Sequence, residues 1–213
     1  VSAYLAAHNA RAFGVKDYIA QFMFNSPPGL SDAMDLAKML AILDLVEPLA
    51  GPGFRTWRQT RTGLLSYPLD PDAARAHLAA SVYLQMALKP HIVHVVGYSE
   101  ADHAATAEDV IASCKLARRA IANALAGQPD MTADPAVQAR RAELVAEAQV
   151  TLEAIAALAD PGIQDPFTTP ATLACPVTTG ILDAPQLSNN PYGHGTLSTR
   201  NNQGARPAVA PTA

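Results

Sequence analysis

Apolar and polar positions alternate along this chain in two rhythms that succeed one another. Ser2–Phe13 has a helical composition, with Leu5 and Ala6 among further alanines, and Gly14 ends it. Tyr18–Asn25 (YIAQFMFN) is a short aromatic and apolar run stopped by Ser26-Pro27-Pro28-Gly29. It is too short for a typical helix and is bounded by breakers, so a strand is expected. Ser31 is a candidate N-cap for a helix over Asp32–Val46, closed by Pro48.

The cycle then repeats twice. Phe54–Arg61 (FRTWRQTR) reads as a polar strand, and Asp70-Pro71 opens a helix over Asp72–Leu88. That helix carries Leu78, Val82 and Met86 at four-residue spacing, and Pro90 ends it. His91–Tyr98 (HIVHVVGY) has the Ile/Val content of a buried parallel strand. Thr106 and Asp109 form a capping pair for a helix over Ala107–Ala126, whose Val110, Cys114, Ala117, Ile121 and Leu125 predict one apolar stripe. Asp134-Pro135 opens a further helix, with Val137, Leu144, Ala148, Leu152 and Ile155 on one side.

Beyond Asp160 the pattern changes. Pro161, Pro166, Pro170, Pro176 and Pro185 punctuate it, and the expected organisation is an α/β portion over 1–159 with a Pro/Gly-rich extension over 160–213. Ala205–Ala213 is expected to be disordered. Strands alternating with helices predict a parallel sheet of βα units. Three units are visible, and the pattern alone does not say how such a sheet closes.

Composition narrows the class. Of 213 residues, 49% are hydrophobic and only 16% charged, which favours a buried interior over a disordered chain. A net charge of −4 gives no basic footprint for nucleic acid. No apolar run approaches the roughly 20 residues of a membrane span. Val1 begins directly in a helical pattern rather than a signal peptide, and Cys114 and Cys175 read as reduced thiols; both point to the cytoplasm. The absence of an initiator methionine fits an alternative start codon or a piece of a longer parent.

Candidate chemistry is sparse. Arg61 ends the second strand and suits bidentate recognition of a carboxylate, with Arg58 as the alternative. Glu100, Asp102 and His103, with His94 nearby, offer metal-type donors, but consecutive loop residues rarely converge on one ion and no metal site is expected. His91 and His94 alternate with apolar residues and read as satisfied core or interface groups. No G-x-G-x-x-G or Walker pattern occurs.

Four runs, in order, carry a resemblance: QFMFNSPPG at 21–29, LLSYPLDPDAA at 64–74, HIVHVVGYSEADHAATAEDVI at 91–111 and TTGILDAP at 178–185. Together they resemble the C-terminal half of the large subunit of adenosylcobalamin-dependent glutamate mutase (methylaspartate mutase), over about residues 1–200. The resemblance implies a (β/α)8 barrel of which this chain holds the last three strands, their helices and an irregular C-terminal extension. It implies adenosylcobalamin held between the barrel and a small cobalamin-binding subunit, and radical interconversion of L-glutamate and L-threo-3-methylaspartate.

Function in such barrels sits at the C-terminal strand ends, here Asn25–Gly29, Arg61–Asp70 and Tyr98–Thr106. The resemblance places Glu100 at the adenosyl ribose, where a carboxylate can accept from two hydroxyls. It places Tyr67 as an aromatic against the cofactor and Ala104 at an apolar contact. Val96 departs from the pattern, standing where the best-known members have a lysine. Asp102-His103 lacks the glycine of D-x-H-x-x-G, so the lower cobalt ligand is expected from the small subunit.

The family's main substrate arginines, and a glutamate at the substrate amino group, lie on the first half of the barrel. An N-terminal half is therefore an expected partner. Half a barrel also leaves two sheet edges and an apolar interior open. Two other readings are a non-catalytic cobalamin-facing assembly module and a different barrel enzyme, a lyase or aldolase using Glu100 and His103.

Overall fold

In the computed structural model, which describes residues 1–209, the chain is a mixed α/β fold around a three-stranded parallel sheet. The strands are β1 (Asp17–Phe24), β2 (Arg55–Thr62) and β3 (Ile92–His94), adjacent in chain order. Helix α1 (Ser2–Ala12) precedes β1. Helices α2 (Asp32–Val46) and α3 (Pro71–Gln85) are the crossovers, and α4 (Ala107–Gly127), α5 (Pro135–Ala156) and α6 (Pro170–Thr178) follow. No described helix is long and apolar enough to cross a membrane.

Helix starts fall where capping chemistry predicts them. Ser31 Oγ accepts from Met34 N, Asp70 from Ala73 N and Asp134 from Ala136 N, and Thr106 and Asp109 form a reciprocal capping box. The predicted stripe on α4 is corrected. Its buried residues are Ser113, Ala117, Ala120 and Ala124, whereas Val110, Cys114 and Leu125 are exposed. Small side chains let α4 lie close against α3, with Leu116 and Ile121 packing at the edge of that contact, while Val110 and Leu125 turn outward.

Both crossovers cover the same face of the sheet. Ala20, Phe22 and Phe24 of β1 pack with Leu36, Met39 and Leu40 of α2 and with Leu84 of α3. On β2, Thr62 on that face bonds Ser81 and Gln85 of α3. Val93 of β3 packs into a second cluster between α3 and α4, with Leu78, Val82 and Ala117. Each fully buried Phe or Leu contributes about 1.5–3 kcal/mol. The sheet is therefore singly wound, with its strands in sequence order and its crossover helices in one layer.

The opposite face carries Asp17, Ile19, Gln21 and Met23 of β1, Arg55, Trp57, Gln59 and Arg61 of β2, and Ile92 and His94 of β3. None of these residues belongs to either core cluster, and Ile19 is 50% exposed. Polar cross-strand contacts tie this face together: Arg55 and Trp57 donate to Asp17 at 2.8 and 2.9 Å. The outer edges of β1 and β3 pair with no other described strand.

The third strand is shorter than expected. His91–Tyr98 was predicted throughout, but pairing stops at Arg61↔His94. The next β2 residue, Thr62, is its last, and Gly63 turns the chain into a short 3-10 helix, Leu64–Ser66. Residues 95–98 thus have no strand beside them, and Ile92 and His94 are exposed rather than buried.

The extension is more ordered than its composition suggests. It holds α6 and a small antiparallel pair, β4 (Ser198–Thr199) with β5 (Ala208–Val209). Part of the stretch expected to be disordered, 205–209, lies in this pair and the turn before it; 210–213 lie outside the described residues. The hairpin docks on the loop after β1, where Ser31 N donates to Gly204 O at 2.9 Å and Asn201 Nδ2 to Gly29 O at 2.9 Å.

Candidate functional site at the C-terminal ends of the strands

A buried polar network shapes the loop after β1. Asn25, at φ 57°, leaves the strand with its amide on the Asp35 carboxylate. Asp35 is fully buried and pairs with Lys38 at 2.6 Å, and the Lys38 ammonium also donates to Ser26 O. Burial pushes the Asp35 carboxyl up, against the pull of Lys38. The Asn25 side chain accepts from Ser81 at 2.6 Å, which in turn accepts from Thr62 at 2.8 Å and Gln85 at 3.0 Å. The strand ends are close at Gly63: a Cβ there would lie 3.0 Å from Phe24 O and 3.1 Å from Ser26 Cβ, so a larger residue would push the neighbouring backbone aside.

The loops after β2 and β3 meet at Tyr67. Its hydroxyl donates to Val96 O at 2.8 Å, and its ring packs edge-on to His77 at 5.2 Å. Burial, with a smaller push from the nearby Glu100 carboxylate, raises its phenol to about 12. His77 holds Ser66 Oγ at 2.8 Å, and burial lowers its imidazole below the usual range.

The loop after β3 is tied down residue by residue. Tyr98 N donates to Ser113 Oγ at 3.3 Å, and the Tyr98 hydroxyl to Asp109 at 2.7 Å. Arg75 lies over the Tyr98 ring, 4.5 Å from its centroid. The bond from Tyr98, helped by those from Thr106, holds the Asp109 carboxyl far below the ordinary range.

The predicted site residues separate by exposure. Glu100 is exposed, and one carboxylate oxygen turns back to accept from Gly97 N. Its other oxygen makes no hydrogen bond with a described residue. Ala104 is also exposed, on the same loop. Tyr67 and Val96 are buried, and both are occupied in holding the two loops together.

Arg61 ends the row Met23–Arg61–His94 on the open face of the sheet, and its buried Nε has no partner among the described residues. Arg58 points the other way, into the helix layer beside Leu40 and Leu88, 3.6 Å from Glu47. It does not share the mouth with Arg61.

No group of three or more metal-type side chains converges among the described residues. His103 pairs instead with Asp102 at 2.9 Å and Asp109 at 3.5 Å, and these carboxylates, Asp102 foremost, raise its pKa. His91 Nδ1 accepts from Arg58 N at 3.0 Å, a satisfied strand-end histidine.

The Asp35–Asn25–Ser81–Thr62–Gln85 network was not anticipated. Its signal is present in the sequence as Asp35, Ser81 and Gln85 on otherwise apolar helix faces. Asp183 was also missed as more than part of a matching run. Its carboxylate accepts from Gly195, Thr196 and Leu197 amides at 2.6–2.9 Å, which fixes the turn leading to the hairpin.

No protein-family model matches this chain, and no curated protein matches it.

Proposed function

We propose that this chain is the cobalamin-facing part of a (β/α)8-barrel subunit of an adenosylcobalamin-dependent glutamate mutase, contributing three of its strands. One observation carries this reading: a singly wound parallel sheet with one bare face, at whose C-terminal end Arg61 of β2 and an exposed Glu100 of the loop after β3 lie near the buried Tyr67. Doubly wound sheets cover both faces with helices, whereas a barrel turns one face inward. The bare face is then a segment of inner wall, completed by an N-terminal half of the barrel.

The residues present fit the cofactor in part. Glu100 has a carboxylate oxygen with no partner among the described residues for the ribose hydroxyls, and Ala104 offers a small apolar surface on the same loop. When bound, adenosylcobalamin supplies the radical chemistry of its cobalt–carbon bond. Glu100 orients the nucleoside, and Tyr67 acts through Val96 by setting the loop that carries Glu100. Arg61, whose Nε has no partner among the described residues, offers its guanidinium to a carboxylate of the L-glutamate or 3-methylaspartate substrate.

Buried Val96, in place of a lysine, favours a second reading, an assembly module that keeps the cobalamin-facing surface without catalysis. The test combines this chain with the N-terminal half, the small cobalamin-binding subunit and adenosylcobalamin. Interconversion of L-glutamate and 3-methylaspartate is expected from the complete mixture only. A complete mixture without cobalamin-dependent turnover overturns the mutase reading.

A further inference from the structure

An open cleft of about 770 Å³ lies between the C-terminal ends of β1 and β2 and the extension. Its apolar lining is Pro27 and Pro28 of the loop after β1, Leu65 of the loop after β2, and Pro185 and Leu197 of the extension, and its polar lining is Ser26, Gln186, Thr199 and Arg206. Prolines have fixed φ and no N–H, so the apolar part of the lining is stiff. Leu65 is 84% exposed and adds an apolar side chain to the lining. The size matches small-molecule sites, which are mostly apolar with a few placed polar groups.

Arg206 is the only charged residue in the lining. Its Nε donates to Thr199 Oγ1 at 3.1 Å and its Nη1 to Pro28 O at 3.4 Å. These bonds fix the guanidinium without neutralising it, for no carboxylate pairs with it among the described residues. A cation held by two hydrogen bonds and paired with no described carboxylate, beside stiff apolar groups, matches an anionic head on an apolar body. We propose that this cleft binds a small organic anion of that kind, a carboxylate or sulfonate carried on a ring or a short alkyl chain. Binding requires neither cobalamin nor a second subunit, so the proposal stands or falls apart from the mutase reading.

The test uses the whole chain with two probes, anionic 8-anilinonaphthalene-1-sulfonate and neutral N-phenyl-1-naphthylamine, titrated by fluorescence. Both are expected to bind at a single site. Arg206→Gln weakens the anionic probe about tenfold, the scale of one lost charge-assisted bond, and leaves the neutral probe unchanged. Leu65→Asp weakens both probes, and Arg206→Lys keeps most of the affinity for the anionic one. The proposal is overturned if neither Arg206→Gln nor Leu65→Asp changes binding. It is equally overturned if Arg206→Gln weakens both probes alike, or if Ile19→Ser on the bare sheet face is what removes the signal.

Discussion

The Tyr67 hydroxyl donates to the Val96 carbonyl at 2.8 Å, joining the loop after β2 to the end of the third strand. This bond spans the point where strand pairing has already stopped, so it does the work that a longer β3 would do. Glu100 lies four residues beyond Val96, on the loop that this bond helps to anchor.

Tyr67→Phe leaves the Val96 carbonyl buried and unpaired, and is expected to cost about 1–3 kcal/mol in urea unfolding. The pH dependence has a defined sign. The folded phenol, pushed up to about 12, resists ionisation more than the unfolded one, whose value is 10.0. Its contribution is therefore complete below pH 10 and lost as pH rises toward 12. Stability profiles of wild type and Tyr67→Phe should differ by a constant below pH 10 and converge above it. A gap that widens with alkali would contradict this.

Asp183 should hold the extension in place. Burial alone would raise its carboxyl, but the Leu197, Thr196, Gly195 and Ala184 bonds outweigh burial and hold it far below the ordinary range. The clamp is intact above the unfolded value of 3.8 and lost only as pH falls through the lower folded value. Hydrogen exchange at Gly195, Thr196 and Leu197 should stay slow at pH 4 in the wild type and become fast in Asp183→Ala. Equal exchange in the two proteins would mean that the carboxylate anchors nothing.

Trp57, the single tryptophan, lies on the bare face of the sheet. A barrel-completing partner would cover it. Adding the N-terminal half should shift its emission to shorter wavelength and reduce quenching by acrylamide. If the partner binds and the emission does not move, the bare face is not an inner wall.

Much of this architecture is legible in local chemistry. Ser31, Asp70-Pro71, Thr106 with Asp109, and Asp134-Pro135 mark helix starts because capping is decided within four residues. The polar run at β2 reads correctly as a strand, although the reason is tertiary: Thr60 and Thr62 are buried against helices, while Trp57 and Arg61 face the open side. What composition could not show was the length of β3. His91–Tyr98 has the residues of a buried strand, but burial requires a neighbour, and β2 ends at Thr62. The α4 stripe failed for a related reason, since contact with α3 selects small residues over the most hydrophobic ones.

The site divides along the same line. Glu100 and Arg61 could be picked out as residue types placed at strand ends, and both occupy the open end of the sheet. That Tyr67 would be buried, with its hydroxyl on the backbone at Val96, depends on two loops distant in sequence and could not be read from either.

The most direct measurement is stopped-flow absorbance of cobalt–carbon bond cleavage in the complete mixture, comparing wild type with Glu100→Gln. Glutamine still accepts from Gly97 N but loses the negative charge offered to the ribose. Cleavage in the variant is expected to be slower by about tenfold, the scale of one charge-assisted hydrogen bond, with the loop fold retained. Identical cleavage rates in the two proteins would contradict a cofactor-facing role for Glu100 and, with it, the placing of cobalamin at this end of the sheet.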